Sequence, residues 1–536
     1  MSACERWTEL NVGPFYVDTQ SEVAAARDDL TQLEQLRWVL GGLLESKDLP
    51  SVWPLRILLT RENEGTKPAE FVWQNGQNLL IAKAGTRLPL DQVCGILLDN
   101  NTPRLPPEVE SGLRQLFSTL EAHGSRVTWG GPVPRPNLAW ARMQLFATKF
   151  EYGLSFHIFI AAVKNGSSLR VAEGNAFGKD PDELEKEAAA NLARGNGQPV
   201  AVSGRPLDPK RDFGEHSIDG VVAEVYLADA RLSTDPKSAE AAYKAAIEAG
   251  GDAMPLGYEG LAEIAKRQNE SPRRYVEDAM RAGSKSPLIY VMAAQDRPAG
   301  DALPLLKRAA QLNPLWAEPV LQQAQLATNP AEKEALVKKA TQLAPRQTRY
   351  WIELAHIQTE QGQASAAQGS WLRAEDSAPT DAEREKIHNQ RISTEQERLD
   401  AAEAERRRER DAAHADIQRA QDAETARVRA AEEKANRELD AQAGGSKPAA
   451  VVPWDATVPQ KKVVGTLTQV DCLKGPARIT VKLKTGNTIQ LLIEKPSEAK
   501  LSCGPQQPAP RVSISYAAEP DERLHTEGRV SNMQVQ

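Results

Sequence analysis

The histidines and cysteines of this chain are spaced too widely to form a local metal site. The 536-residue sequence has seven histidines, and no two of them lie within five residues of each other. A zinc-peptidase helix needs two histidines four residues apart, with a glutamate beside the first as general base. The four cysteines, at positions 4, 94, 472 and 503, form no CxxC pair. A metal site would therefore have to be assembled from distant residues.

The side chains that come nearest to a metal-site pattern are Glu108, Glu110 and His123. Their spacings of two and thirteen residues do not match a known zinc site. They define one hypothesis, a peptidase with a divergent metal site. Cys94 lies on an apolar helical stretch with no histidine near it in sequence, so the pattern favours a core residue over a nucleophile.

Residues 92–120 have the apolar frame of a zinc-peptidase ligand region. The frame consists of Ile96-Leu97-Leu98, Leu105-Pro106-Pro107, Gly112-Leu113 and Leu116-Phe117. On this frame, and on residues 7–19 and 175–192, the chain resembles the peptidase-MA-like gluzincins. The resemblance is to the branch in which tetratricopeptide repeats follow the peptidase-like region. An unrelated α/β domain is the alternative.

The resemblance implies a peptidase fold without its zinc ligands. Gln92, Val93 and Ile96 stand where the family has its first histidine, its glutamate and its second histidine, so the HExxH motif is absent. Ser111 stands where the third ligand, a glutamate, is expected. Neutral Gln and Ser are poor zinc ligands, and Val and Ile are none. We therefore expect an α+β domain over residues 1–212 with no catalytic residue, no metal and no cofactor.

Local patterns within this region predict its elements. The run Leu55-Arg56-Ile57-Leu58-Leu59 is typical of a buried strand. Asn75-Gly76, between two short apolar stretches, predicts a β-hairpin. From Leu90 the pattern is helical to near Ala193.

Composition limits the classes of partner and compartment. The net charge of −7 and the pI near 5.8 argue against nucleic acid as a general partner. No run of about 20 apolar residues occurs, so we expect no transmembrane segment. Met-Ser-Ala-Cys4 is similar to the end of a lipoprotein signal, which would make Cys4 a lipid anchor. Because relatives with this layout are commonly exported, an extracytoplasmic location is favoured over a cytoplasmic one.

Residues 219–381 carry the pattern of about five tetratricopeptide-like repeats. Proline recurs at positions 255, 287, 314, 345 and 379, at intervals of 32, 27, 31 and 34 residues. Small alanines let two helices approach closely, an aromatic residue fills the groove beyond them, and proline stops the second helix. Ala367, Trp371 and Ala374 fit this spacing, as do Ala239, Tyr243 and Ala246. The pattern predicts an all-α array that binds a protein or peptide.

Residues 382–445 are rich in charge and alanine, which predicts a long helical spacer. Positions 381–440 hold 17 acidic and 13 basic residues and too few regularly spaced apolar ones for a stable coiled coil. A single solvated helix, stabilised by Glu–Arg pairs, is the prediction. Weak dimerisation through the sparse apolar stripe is the alternative.

Residues 452–536 predict a small β-barrel of the OB-like or SH3-like kind. Five short strands are expected, with a turn at Thr485-Gly486-Asn487. Tyr516 is the only aromatic residue in these strands, so nucleic-acid binding is not expected. Cys472 and Cys503 each lie beside a strand end and form a disulfide candidate. Two unpaired cysteines are the alternative.

Together these patterns favour a multidomain, non-catalytic interaction protein. The array would carry the partner contacts, with Tyr290, Trp316 and Tyr350 as candidate positions. The alternatives are a divergent metallopeptidase and a purely structural envelope component.

Overall fold

The computed structural model describes residues 6–61, 70–195, 197–442, 459–473, 476–496, 501–521 and 523–535. The chain forms two compact units, Met1–Arg398 and Leu399–Gln536. Cys4, the candidate lipid anchor, lies outside the described residues. Within the part that is described, none of the helices combines the length and the apolar character that a membrane span requires.

The first unit begins with an α/β region built on a six-stranded sheet. Its elements are β1 (Trp7–Val12), β2 (Phe15–Thr19), α1 (Val23–Leu43), β3 (Leu55–Thr60), β4 (Val72–Gln74), β5 (Gln77–Lys83), α2 (Leu90–Asn101), α3 (Pro107–Phe117), β6 (Glu121–His123), β7 (Arg126–Trp129), α4 (Leu138–Thr148), α5 (Gly153–Lys164), α6 (Leu169–Phe177), α7 (Pro181–Arg194), β8 (Val200–Ser203) and β9 (Gly214–Ile218).

The strand order of the large sheet is β4-β5-β3-β2-β1-β9. β3 pairs in parallel with both β2 and β5, and Leu55, Ile57 and Leu58 on it are fully buried, as expected for a central parallel strand. The predicted β4–β5 hairpin is confirmed, with Asn75 and Gly76 at its turn in the left-handed conformation. α1 packs on the sheet and contributes Leu33 and Leu36 to the same core.

The prediction of an unbroken helical pattern from Leu90 to near Ala193 was wrong for residues 121–129. There β6 and β7 form a hairpin whose turn contains Gly124 at a φ of 61°. β8, from later in the chain, pairs with β7 and completes a three-stranded sheet. A distant pairing partner thus decided this local structure, and the helical periodicity around it gave no signal of that partner.

The second part of the first unit is a tetratricopeptide-like array of antiparallel helix pairs. The five pairs, all within described residues, are α8 (Gly220–Arg231) with α9 (Pro236–Ala249), α10 (Ala253–Arg267) with α11 (Arg273–Arg281), α12 (Pro287–Ala294) with α13 (Ala299–Leu312), α14 (Glu318–Leu326) with α15 (Pro330–Leu343), and α16 (Thr348–Glu360) with α17 (Ala364–Ser377).

Close helix packing in the array depends on small residues at defined places. Tyr243 on α9 is fully buried, and its ring lies against Gly260 on the neighbouring α10. A Cβ atom at Gly260 would come within 2.5 Å of that ring, so only glycine permits this approach. The predicted use of small and aromatic residues between repeat helices is therefore found at this helix contact.

The long helix α18 (Asp381–Gln442) begins on the array and then becomes exposed. Ile387 is buried against Trp371 and Ala378 of the last repeat, and Arg391 pairs with Glu375 at 2.6 Å. Its remaining residues form a solvated helix, as predicted, but its first turns do not. With 62 residues it spans roughly 90 Å.

The described C-terminal strands are β10 (Gln460–Cys472), β11 (Ala477–Leu483), β12 (Thr488–Ile493), β13 (Gly504–Pro505), β14 (Arg511–Ala517) and β15 (Arg529–Val535). β10 pairs with both β11 and β14, and β12 meets β15 in parallel at Leu492 and Arg529. Whether these pairings amount to a closed OB-like or SH3-like barrel stays a prediction. Tyr516 belongs to the core of this sheet, and Cys472 is bonded to Cys503, with their Cα atoms 5.6 Å apart.

Candidate functional site

The positions expected to be vacant in a zinc-peptidase fold have structural roles here. Gln92 accepts a hydrogen bond from the backbone N–H of Phe71 at 2.9 Å, which ties α2 to the residue that precedes β4. Val93 is fully buried in the core and Ile96 packs against the same core. The Ser111 hydroxyl on α3 lies 3.5 Å from the Gln115 amide. These four side chains serve packing and local hydrogen bonding.

The three candidate ligands of a divergent metal site have different surroundings and do not form a shared site. Glu110 accepts from the backbone N–H of Leu105 at 2.9 Å and pairs with Arg346 at 2.7 Å. Glu108 and His123 are exposed on separate elements. Among the described residues, no group of three or more His, Cys, Asp and Glu side chains could hold a metal ion.

A groove of about 210 Å³ lies on the array, and we call it the repeat groove. The first helices of the second, third and fourth pairs form its floor, and the β4–β5 hairpin forms one wall. Its lining residues are Trp73, Asn75, Glu259, Glu263, Lys266, Ser286, Leu288, Ile289, Val291, Met292, Gln295, Trp316, Glu318 and Gln322.

The hairpin is held in place by polar contacts to the array. The Asn75 amide donates to Asp229 on α8 at 2.7 Å, and the Arg267 guanidinium on α10 donates to Gln74 at 2.5 Å. The left-handed backbone that Asn75 adopts at the turn is one that asparagine tolerates better than most residues. As a result Trp73 stands at the rim of the repeat groove with 49% of its surface exposed.

Three tryptophans join the α/β region to the array beside the groove. The rings of Trp53 and Trp73 lie 6.2 Å apart, and those of Trp53 and Trp316 lie 5.2 Å apart. Such tilted and edge-on arrangements are favourable for aromatic pairs. Trp316, a predicted contact residue, therefore lines the groove and also packs against the α/β region.

The floor of the repeat groove carries carboxylates in unusual surroundings. Glu259 is 8% exposed and accepts a hydrogen bond from the Ser284 hydroxyl at 2.6 Å. Burial raises the pKa of Glu259 to about 7. Asp229 nearby accepts from Tyr243 at 2.7 Å, and burial raises its pKa to about 7 as well. Two acids of the same region thus bind protons more tightly than free carboxylates do.

The other groove carboxylates are neutralised by cations. Glu263 pairs with Lys266 at 3.5 Å and with Arg267 at 3.1 Å. Glu318 pairs with Arg349 and accepts from the Tyr350 hydroxyl at 3.1 Å. The groove therefore presents polar groups of both signs around an apolar centre at Met292 and Leu288.

The remaining predicted contact residues lie outside the open part of the groove. Tyr350 is 3% exposed and belongs to the core of the fourth and fifth repeats, which leaves little of its ring for a ligand. Tyr290 is half-buried, and its hydroxyl donates to the Ser284 carbonyl at 3.1 Å. Sequence reasoning missed Trp73 and Met292. The only sequence signal for Trp73 was its place beside the Asn75-Gly76 turn.

Comparison with known proteins gives tetratricopeptide proteins among solved structures. No protein-family model matches the sequence, and no curated protein matches it. YrrB, described as a TPR protein with an unusual peptide-binding site, is 19% identical, covers 32% of this chain and 92% of its own, and gives a TM-score of 0.26. MamA is 15% identical over 31% of this chain and 97% of its own, with a TM-score of 0.24. Yeast Tom70 is 15% identical over 58% of this chain and 70% of its own, with a TM-score of 0.27. At such low TM-scores these likenesses carry no conclusion about what this chain binds.

Proposed function

We propose that this chain is a non-catalytic scaffold that binds an extended segment of a partner protein in the repeat groove. The proposal rests on the residues that line this groove and on the exposure of Trp73 at its rim. Trp73 and Met292 offer apolar surface, while Gln295, Gln322 and Lys266 offer donors and acceptors that are able to bond a peptide backbone. Aromatic anchors surrounded by polar groups are typical of protein-binding surfaces.

Anchoring of the hairpin supports the same proposal. A groove wall that is already fixed by hydrogen bonds to Asp229 and Arg267 does not have to be ordered when a partner binds. Preorganisation of this kind lowers the entropic cost of association. The α/β region therefore acts as part of the binding surface, whether or not it descends from a peptidase. Its relationship to the peptidase-MA-like gluzincins stays a prediction from the sequence.

Peptide selection with matched variants tests the proposal. Peptides would be selected from a displayed random library on the full chain, and their affinities measured by titration calorimetry. We expect Trp73→Ala and Met292→Glu to weaken binding at least tenfold, on the order of 1.4 kcal/mol or more. Leu372→Ala is the control, because Leu372 is 45% exposed on α17 and lies outside the groove.

Selected peptides that bind both groove variants as tightly as the unchanged protein would contradict the proposal. The two alternatives have separate signatures. A divergent metallopeptidase predicts stoichiometric zinc in the purified protein, measured by elemental analysis. A purely structural role predicts that no selected peptide depends on the groove.

A further inference from the structure

A second cavity, of about 280 Å³, lies where the α/β region meets the last repeat, and we call it the junction pocket. It is separate from the repeat groove and shares no lining residue with it. Pro103 and Arg104 from the loop after α2, and Lys164 from the end of α5, line one side. Trp351 of α16 and Arg373 of α17 line the other.

Three residues with cationic side chains line this pocket. The Arg104 Nε donates to the Ser377 carbonyl at 3.1 Å, and the Lys164 ammonium donates to the Leu44 carbonyl at 2.9 Å. Within the described ranges, neither of them nor Arg373 lies within ion-pair distance of a carboxylate, although the Arg373 charge acts on the nearby Asp376. Arg104 and Lys164 are half-buried and tied to backbone carbonyls, which fixes their position without neutralising their charge.

One carboxylate, Asp376, lines the same pocket, so three positive charges face a single negative one. Such an excess attracts an anion. Two guanidinium groups can each donate two parallel hydrogen bonds to the oxygens of a phosphate, and an ammonium adds a further point charge. Asp376 remains an acceptor for hydroxyl or amine donors on the rest of a ligand.

The pocket also has apolar lining residues, on both of its sides. Pro103 and Pro345 border it, and the Trp351 ring is fixed by a hydrogen bond from its Nε1 to the Pro345 carbonyl at 2.8 Å. A fixed aromatic ring can stack on a planar group of a ligand. The volume exceeds what one phosphate would fill and approaches that of pockets for small organic ligands.

We propose that the junction pocket binds a phosphate-bearing small molecule. Arg104, Lys164 and Arg373 hold the phosphate, and the Trp351 wall takes the organic part. Because its lining comes from both the α/β region and the last repeat, a bound ligand stabilises the contact between them. This inference does not depend on the repeat groove or on what that groove binds.

Calorimetric titration of the full chain with adenosine monophosphate, inorganic phosphate and adenosine tests the proposal. We expect adenosine monophosphate to bind with a Kd of about 1 mM or tighter, and adenosine to bind far more weakly. Arg373→Ala and Arg104→Gln should each weaken binding of adenosine monophosphate about tenfold or more. Arg308→Ala, an exposed arginine on α13 away from the pocket, should leave it unchanged.

Tighter binding of adenosine monophosphate than of phosphate supports the proposal, and equal affinities overturn the assignment of the organic part to Trp351. Absence of binding by both phosphate compounds overturns the proposal, as does equal binding of adenosine. An equal loss in Arg308→Ala also overturns it. Arg373 is exposed, so its removal leaves the fold intact and keeps the test valid if Arg104→Gln unfolds the protein, which circular dichroism would report.

Discussion

Two of the contacts between the α/β region and the repeat array differ in physical character. In the first, which we call the Arg346 contact, a buried guanidinium binds Asp99 at 2.5 Å, Glu110 at 2.7 Å and Thr102 at 3.0 Å. In the second, the hairpin contact, neutral amides of Gln74 and Asn75 bond to Arg267 and Asp229. The first joins α2, α3 and the loop between them to the array, and the second borders the repeat groove. The Arg346 contact joins a cation to two carboxylates, whereas each hydrogen bond of the hairpin contact joins one ionisable side chain to a neutral amide.

The largest expected effect comes from breaking the Arg346 contact. Arg346→Ala removes a side chain that is 7% exposed and leaves Glu110 without its cation. Breaking a buried ion pair by removing one member costs about 3 kcal/mol or more. We expect the free energy of unfolding, measured by urea denaturation, to fall by that amount.

Arg349→Ala is the matched control for Arg346→Ala. Its side chain is 61% exposed and its partner Glu318 is 19% exposed, so the two ion pairs differ in the burial of the arginine. Loss of an exposed pair costs less than about 1 kcal/mol. Equal losses in the two variants would show that burial does not distinguish these contacts.

The hairpin contact makes stability depend on pH. Asp229 has a pKa of about 7 in the folded protein because of burial, whereas its ordinary value is 3.8. As the pH rises from about 4 to about 7, the unfolded chain releases this proton before the folded chain does, so stability falls. Asp229→Asn keeps an acceptor for Asn75 and Tyr243 and should make the fall in melting temperature over this range shallower.

The melting temperature of the Asp229→Asn variant should still fall with rising pH, because other buried acids also have raised pKa values. Burial raises the pKa of Asp29 and of Glu259 to about 7, and that of Asp18 to about 6. A melting temperature that depends on pH equally in the variant and the unchanged protein would contradict the role assigned to Asp229.

The smallest expected effect on stability comes from removing a single hydrogen bond of the hairpin contact. Asn75→Gly keeps the left-handed turn, because glycine adopts it freely, but loses the bond to Asp229. We expect a loss of about 1 kcal/mol in the free energy of unfolding. Asn269→Gly is the control, since Asn269 has the same backbone conformation at an exposed helix end. Indistinguishable losses would assign the effect to glycine itself.

Local patterns predicted much of the fold, and long-range pairing explains what they missed. Three patterns predicted the element in which they lie. They are the apolar run from Leu55 to Leu59, the Asn75-Gly76 turn, and the spacing of alanines around Trp371. The site depends on Asn75 meeting Asp229, 154 residues later, and periodicity contains no information about such a meeting. The aromatic ring of Tyr350 makes it a candidate contact residue, but such a ring is equally suited to a core, and Tyr350 is buried.

Ile387 at the start of α18 covers the apolar surface of the last repeat. This packing determines which fragments of the protein are expected to be soluble. Repeat arrays need a terminal helix with a polar outer face, because the apolar surface of an uncovered last repeat promotes aggregation. At the other end, Ala223 and Leu227 of α8 are covered by Trp7 and Leu58 of the sheet. A fragment that contains only residues 219–381 would expose the apolar surface at both ends of the array and would aggregate. Soluble expression should require a fragment that retains the sheet and reaches Arg398.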